Sequence, residues 1–517
     1  MASIRKSLAI SVLNKYIQIT LQLVSYFVLA RLLTPNEIGL FSVASSAIGI
    51  AQVFREFGVS SYLIQEKELT ENKIATAFTI TVIAGSLLFC LLFLLTPWLA
   101  SFYNDERLIL VFHLLSINFL IIPLNSTSLA LLRREMRFGA LFWISILASL
   151  TSFTVAVSLS SLGYGYMSLV WSSLANGLVS SLSVSFFLRG GMFHRLTLCE
   201  WRTVLSFGSQ MTIISITGHI SSNANDLITG KLLGFTATGI ISRAQGVMYL
   251  FHRDITATLR EVAFPAFANS HREQRDIEAD YIKAVTILTV FAWPFYGFFS
   301  LFPTEALRLL FGPQWDAAAP LVPWFCAGGA VAATCSLIPT LLPALGGVRY
   351  LVRLHVLIDP LRIVTFAMTI YFFRTMEAFA IVFVIFFTIS MPLLYYFKNK
   401  LLPTRYKLLT VGLLKSVGVS LCALAMPASL ASIPYLDVDN TLLSELYLHY
   451  ASWLYKTPDA PYLKDWLLIP LGLLMLPCWI LGLILFRHPL ADEHWFQKIV
   501  YYRIGGRREP VTEQKLS

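Results

Sequence analysis

The segment LLTPNEIGLFS, residues 32–42, returns in related form as LLGFTATGIIS, residues 232–242, 200 positions further along the chain. A basic residue precedes each copy at the same offset, Arg31 before the first and Lys231 before the second. Each copy lies between two apolar stretches that we interpret as helices. Because such a repeat indicates two related halves, it decides how the rest of the chain is organised.

The composition is unusually apolar. Hydrophobic residues make up 56% of the 517 positions, charged residues 13%, and the mean hydropathy is +0.69, whereas a soluble domain carries about 25% charged residues. Apolar stretches of about 17–25 residues recur along the chain, and in lipid they form helices because every backbone polar group must be paired internally. The short alternating segments of a β-barrel are not seen. The sequence therefore predicts an all-α, polytopic membrane protein.

We predict about fourteen transmembrane helices. Their approximate ranges are 8–30, 37–54, 74–100, 108–130, 140–162, 166–188, 204–230, 236–252, 283–303, 318–345, 350–373, 377–397, 408–433 and 464–486. Residues 1–200 and 201–400 then form two six-helix lobes. Residues 401–487 add a helix pair with an outside loop at 435–463, and residues 488–517 form a tail.

Lysine and arginine set the orientation, since cytoplasmic loops hold their excess. With the N-terminus inside, the inside segments hold roughly four times as many of these residues as the outside segments. Both termini are then cytoplasmic, and the tail after Arg487 either lies on the inner leaflet or is disordered. The excess basic residues behind the net charge of +10 lie mostly in the predicted inside segments, where they set the topology. We therefore expect no nucleic-acid partner.

The number of spans in each lobe predicts the symmetry. Six is even, so both lobes enter the membrane from the cytoplasm, and their symmetry axis lies along the membrane normal. The substrate then belongs in the cleft between the lobes.

The sequence carries no recognisable signature of an enzyme, a metal site or a cofactor site. The chain has no P-loop, HExxH or GxSxG motif, and its six cysteines form no CxxC pair. Asp437-Val438-Asp439 resembles the DxD motif of glycosyltransferases, but it lies in the predicted outside loop, away from nucleotide sugars. We therefore expect a protein that is not an enzyme and uses neither metal nor cofactor.

Three segments carry a family resemblance: residues 31–65, the segment LLRREMRF at 131–138, and GKLLGFTATGIISRAQGV at 230–247. They resemble Wzx-type polysaccharide flippases, which share a superfamily with MATE drug antiporters, and most of all exporters of the colanic-acid type. The resemblance implies a flippase of the bacterial inner membrane. Its substrate would be a polyprenyl-diphosphate-linked oligosaccharide for surface polysaccharide, and its partners would be membrane lipids and a polysaccharide polymerase.

Polar stripes on the first and seventh helices predict a hydrated cavity. The first helix carries Ser11, Lys15, Gln18, Gln22 and Ser25, and the seventh carries Ser215, Gly218, Ser222 and Asn225, flanked by His219, Asn223 and Asp226. Two interpretations of Lys15 remain: it attracts the diphosphate in the cavity, or it extends to the lipid headgroups.

Two arginines lie deep in predicted helices, where an ionisable residue indicates a functional site. Arg243 has no acidic neighbour, which favours cavity lining. Arg362 either contacts the ligand or forms a structural pair with Asp359, three residues earlier.

His219 and Asp226 are candidates for ion coupling, although a buried histidine more often forms hydrogen bonds between helices. We interpret Asn118 and His355 likewise as residues that form hydrogen bonds between helices.

Two other functions remain open. A cation-coupled antiporter of drugs predicts an acidic site, whereas the charges within these spans are mainly basic. A membrane glycosyltransferase or polymerase predicts a large outside loop.

Overall fold

The computed structural model describes residues 2–56, 58–187, 195–432, 455–457, 460–493 and 496. These residues are helical except for connections and one antiparallel hairpin, formed by β1 (Tyr455–Thr457) and β2 (Ala460–Leu463). The side chains of Ser11 and Ser215, the triplet Asp437-Val438-Asp439 and the tail beyond residue 496 lie outside the described residues.

The helices of the first half are joined mostly by short connections. They are α1 (Ala2–Leu32), α2 (Pro35–Glu56), α3 (Val59–Gln65), α4 (Glu71–Tyr103), α5 (Arg107–Ser116), α6 (Asn118–Arg134), α7 (Phe138–Ser161), α8 (Met167–Phe187), α9 (Trp201–Leu232) and α10 (Phe235–Tyr249). The chain continues with α11 (Thr256–Arg272), α12 (Ile277–Leu301), α13 (Pro303–Leu310), α14 (Val322–Cys335), α15 (Ile338–Ala344), α16 (Val348–Phe373), α17 (Met376–Asn399), α18 (Tyr406–Ser432) and α19 (Leu468–Leu485).

Eleven helical stretches among the described residues are long and apolar enough to cross a membrane. The prediction of an all-α, polytopic membrane fold is confirmed, and the protein is a multi-pass membrane protein. Helices α1, α9 and α10, which hold the predicted first, seventh and eighth spans, are not among the eleven. Helix α10, with 15 residues, is too short to span a bilayer by itself.

Three of the predicted spans differ from the helices that form. The predicted fourth span, 108–130, is divided between α5 and α6. The predicted eighth span ends at residue 252, but α10 continues through a π-helical turn, Leu250–Ile255, into α11. The predicted tenth span, 318–345, is broken into a 3-10 segment, Pro313–Leu321, and two helices, α14 and α15. Prolines in this stretch lack a backbone N–H, which explains why no single helix forms.

The chain divides into two compact units. The first unit comprises Met1–Ala244, Leu310–Leu321 and Val352–Val382, and the second comprises Gln245–Leu309, Val322–Leu351 and Phe383–Ser517. The lobe boundaries at residues 200 and 400 stay a prediction.

The two copies of the repeat pack against each other within the first unit. A Cβ atom at Gly39 would collide with the carbonyl oxygen of Phe235, and one at Gly239 would collide with that of Pro35. The two contacts are equivalent at the 200-residue offset, so the repeat pairs with itself. Small residues allow two membrane helices this close an approach, which explains the glycine in each copy.

The LLRREMRF segment has a structural role in the first unit. The Arg134 guanidinium donates hydrogen bonds to the carbonyl oxygens of Leu63 at 2.8 Å and Glu66 at 2.5 Å. A helix leaves its last carbonyls without helical partners, and Arg134 satisfies those at the end of α3.

The helix pair α18 and α19 packs on α12 within the second unit. Val290, Val419 and Leu483, one from each helix, belong to a single buried cluster. The Trp479 indole N–H donates to the carbonyl oxygen of Val290 at 2.9 Å. The pair is therefore built into the core of its unit.

Candidate functional site

Two adjoining cavities lie among the helices of the first unit, with volumes of about 480 and 590 Å³. We name the first the arginine cavity, since Arg243 lines it, and the second the amide cavity, since Gln52, Asn118, Asn125 and Asn176 line it. They share the wall residues Ser25, Leu29, Phe41, Ser45, Ser152, Leu169 and Asn176. Among the described lining residues, Arg243 is the only charged one.

Arg243 lies on α10 with its guanidinium among three aromatic rings. The guanidinium carbon is 4.0 Å from the ring centre of Tyr26, 5.2 Å from Trp315 and 5.6 Å from Phe311. A cation over such rings gains about 0.5–2 kcal/mol. Arg243 is 6% exposed, and its Nε has no hydrogen-bond partner. It forms no ion pair with any carboxylate in the described part of the chain.

The 3-10 segment Pro313–Leu321 holds the aromatic rings around Arg243 in position. Trp315 is fully buried, and its indole N–H donates to the carbonyl oxygen of Ala30 at 2.8 Å. The side-chain amide of Gln314 donates to the same oxygen at 2.7 Å. Phe311, just before the segment, meets Tyr26 edge to face at 5.3 Å. The rings are thus held in place around a cation that lacks an anion.

The polar face of α1 borders the arginine cavity. Gln18, Gln22 and Ser25 line the cavity, whereas Lys15, which is half-buried, is not among its lining residues. The Ser149 hydroxyl donates to Gln18 Oε1 at 2.7 Å, but Gln18 Nε2 is buried without a partner. One donor of this glutamine is therefore available on the cavity wall.

The two residues predicted to couple an ion, His219 and Asp226, both lie on α9 but have different hydrogen-bond partners. The Asp226 carboxylate accepts hydrogen bonds from Ser42 at 2.9 Å and Ser46 at 3.1 Å, both on α2. His219 is exposed, and its carbonyl oxygen accepts the Asn223 amide at 2.8 Å. No direct bond between His219 and Asp226 occurs among the described contacts, so their joint role stays a prediction.

Arg362 on α16 lies in a polar cluster. Its guanidinium is 3.8 Å from the Asp359 carboxylate and donates to the Ser221 hydroxyl. His355 Nδ1 lies 3.0 Å from the same carboxylate. Arg362 is not among the described lining residues of either cavity. This geometry favours the structural pair over ligand contact.

The sequence analysis missed most of the amide cavity. Asn118 was assigned a helix contact only, and Asn125 and Asn176 were not singled out. The available signal was the seven-residue spacing of Asn118 and Asn125, which places both on one face of a helix.

Arg55 is a second buried arginine of the first unit, near the end of α2, with 5% exposure. It pairs with Glu56 at 3.2 Å, while its Nε and Nη1 have no partner.

Comparison with known proteins gives a family and a fold. Residues 28–320 match the model of a family described as polysaccharide biosynthesis protein. The lipopolysaccharide biosynthesis protein WzxC of Escherichia coli (strain K12) is 25% identical over 338 residues, which cover 65% of this chain and 68% of that protein.

Two solved structures share the fold at low sequence identity. The lipid II flippase MurJ in an inward closed conformation matches with a TM-score of 0.67 and 12% identity, over 93% of this chain and 98% of MurJ. An inward-facing multidrug resistance MATE family transporter of the MOP superfamily matches with a TM-score of 0.61 and 14% identity, over 74% and 94% of the two chains.

Proposed function

The chain belongs to the family of polysaccharide biosynthesis proteins, and on that premise we propose that it is a flippase for lipid-linked oligosaccharides. It moves polyprenyl-diphosphate-linked repeat units from the cytoplasmic to the outer leaflet of the bacterial inner membrane, for surface polysaccharide. Both termini are cytoplasmic, and the lobes 1–200 and 201–400 open the route alternately to the two sides. The similarity to a lipopolysaccharide biosynthesis protein, WzxC, and to a lipid II flippase, MurJ, supports a lipid-linked sugar as the class of cargo.

Arg243 is the observation that carries this proposal. A charge in a membrane protein interior is costly, and it persists where it pairs or serves transport. Here three rings hold the guanidinium, Nε is unpaired, and the arginine cavity adjoins it. A diphosphate offers several oxygens in the geometry that a guanidinium matches, so it would supply the missing anion.

Gln18 and Gln22 add donors and acceptors next to Arg243, so in this proposal they contact the headgroup during passage. Lys15, Asn223 and Arg362 stay predicted cavity-lining contacts of the substrate. His219 and Asp226 stay the predicted coupling residues.

The cavities disfavour an antiporter of cationic drugs. Such a site requires acidic groups to attract the cation, and no aspartate or glutamate is among the described residues that line the two cavities. Arg243 would repel a cation in addition.

Deletion of the gene in its host tests the proposal. We expect lipid-linked repeat units to accumulate on the cytoplasmic leaflet and surface polymer to be lost. The wild-type gene should restore the polymer, as should Arg133→Ala, which changes an exposed arginine, while Arg243→Ala should not at equal protein levels. Unchanged polymer together with new drug sensitivity would contradict the proposal.

A further inference from the structure

The wall of the amide cavity is polar and uncharged. Its polar lining includes Gln52, Asn118, Asn125, Asn176 and several serines, and no Asp, Glu, Lys, Arg or His is among the described lining residues. The volume of about 590 Å³ lies within the range of small-molecule sites, which is about 300–1,000 Å³.

Hydrogen bonds between α6 and α8 fix part of this wall. Asn118 Nδ2 donates to Ser173 Oγ at 3.2 Å, and Asn125 Nδ2 donates to Ser180 Oγ at 3.2 Å. The two pairs are one heptad apart and repeat the same spacing between the helices. The amides are therefore oriented by the protein before any ligand enters, which lowers the cost of binding.

Several polar groups of the wall have no partner in the described part of the chain. The Asn125 carbonyl oxygen is buried and unpaired, in a residue only 2% exposed. The half-buried amides of Asn176 and Gln52 also lack a hydrogen bond to any described residue. A buried polar group without a partner costs about 1–3 kcal/mol, so the Asn125 oxygen indicates a ligand that pairs with it and with the two amides beside it.

The chemistry of these groups identifies the ligand class. Each amide offers two donors and one acceptor, and a sugar hydroxyl both donates and accepts. Phe41, which lines both cavities, adds an apolar surface for the C–H face of a sugar ring. A carboxylate buried in this cavity would find no described cation on its wall, and an unpaired buried charge is strongly unfavourable.

The two cavities adjoin, so one lipid-linked sugar could place its diphosphate in the arginine cavity and its saccharide in the amide cavity. Asn176, Ser25 and Ser45 belong to both walls, so a sugar in the amide cavity would be covalently continuous with a diphosphate at Arg243. We infer that the amide cavity binds the saccharide next to the diphosphate and selects uncharged sugars over uronic acids. This inference rests on the proposed function and narrows its substrate to neutral glycans at that position.

Binding of three synthetic lipids to the full-length protein in nanodiscs tests the inference. The probes are a polyprenyl diphosphate, the same lipid bearing a neutral disaccharide, and the same lipid with a uronic acid in place of the first hexose. We expect the neutral disaccharide to bind at least about tenfold more tightly than the bare lipid, since several wall groups become paired. The uronic acid lipid should bind no more tightly than the bare lipid.

Variants of Asn125, which lines the amide cavity and not the arginine cavity, assign the selectivity to the amide cavity. Asn125→Leu should remove most of the advantage of the neutral disaccharide and leave binding of the bare lipid unchanged. Asn125→Asp, which has nearly the same shape, provides a second variant in case the leucine prevents folding, and it should weaken the uronic acid lipid most. Asn72→Leu, at an exposed asparagine in the first turn of α4, is the matched control and should behave as wild type.

The outcomes separate the two proposals. Equal binding of the bare and neutral lipids, or tightest binding of the uronic acid lipid, overturns the neutral-sugar site while the flippase proposal stands. Absence of binding by all three lipids contradicts the flippase proposal and the inference with it.

Discussion

Two buried cations, Lys398 in the second unit and Arg243 in the first, differ in the partners that their charges have. In the second unit, fully buried Lys398 donates to the Glu278 carboxylate at 2.5 Å, to Thr404 Oγ1 at 3.0 Å and to the Leu402 carbonyl oxygen at 3.2 Å. All three donors of its ammonium group are used. In the first unit, Arg243 is held by aromatic rings, with Nε unpaired and no ion pair to a described carboxylate.

The comparison teaches that burial of a charge does not by itself identify a functional site. The Lys398 cluster is complete without a ligand and joins α17 to α12. Arg243 is positioned but electrostatically incomplete, and it lines a cavity. The difference lies in the partners, and it predicts opposite consequences of substitution.

Substitution of Lys398 should have the largest effect on stability. Lys398→Met leaves the Glu278 carboxylate buried without its cation, and breaking a buried pair costs about 3–5 kcal/mol. We expect a large drop in the melting temperature and in the yield of folded protein. The double variant Lys398→Met/Glu278→Leu should recover most of the loss, because no unpaired charge remains. If Lys398→Met alone were as stable as wild type, the Lys398 pair would not be a structural element, and the comparison with Arg243 would fail.

Arg243→Met should separate function from stability. It removes a cation–π contact of about 0.5–2 kcal/mol but also a buried charge that has no anion, and these effects oppose each other. The melting temperature should stay close to that of wild type while polymer export in the host is lost. Arg243→Lys should restore export only in part, since an ammonium group lacks the planar fork. A melting temperature as low as that of Lys398→Met would make Arg243 a structural residue.

His488, beyond the end of α19, supplies a pH-dependent comparison. Leu490 N–H donates to its Nδ1 at 3.2 Å, so its Nε2 carries the proton toward Ser416 Oγ at 3.3 Å. Burial, and secondly the charge of Lys415, lower the pKa of His488 to about 4. The unfolded chain takes up this proton near its ordinary pKa of about 6.5, so the contribution to stability is present above that pH and is lost as the pH falls toward 4.

Melting temperatures at pH 7.5 and pH 5 measure this effect. The wild type should lose stability on acidification, and His488→Asn should lose less because it removes the titrating group. An equal loss in both proteins would show that other groups account for the acid sensitivity.

Trp315→Phe should have the smallest effect. It keeps an aromatic ring near Arg243 but removes the hydrogen bond to the Ala30 carbonyl oxygen, which is worth about 1 kcal/mol. Gln314 still donates to that oxygen, so the melting temperature should fall by a few degrees and export should be reduced only slightly. Complete loss of export would mean that the indole N–H itself is required.

The sequence predicts the helices well because hydropathy and backbone pairing leave few alternatives in lipid. The repeat at Gly39 and Gly239 also reports a real contact, since close helix packing requires glycine at both positions. Prolines around 313–345 break the predicted tenth span, and their effect depends on how neighbouring segments pack.

The candidate site was less accessible to prediction. Arg243 could be singled out because it lies within an apolar stretch without an acidic neighbour. Its rings could not, because Phe311 and Trp315 come from the 3-10 segment and the turn before it, about 70 residues away, and no periodicity relates them to α10. The amide cavity escaped notice because isolated asparagines in membrane helices are usually contacts between helices.

The central claim is that Arg243 binds the diphosphate of the substrate, and direct binding tests it best. Polyprenyl diphosphate is titrated into wild-type protein and Arg243→Met in nanodiscs, with melting temperatures measured on the same samples. The account predicts at least about tenfold weaker binding by the variant, since a hydrogen bond to a charged group is worth about 1.5–3 kcal/mol, at an unchanged melting temperature. Equal affinity in two equally folded proteins would contradict it.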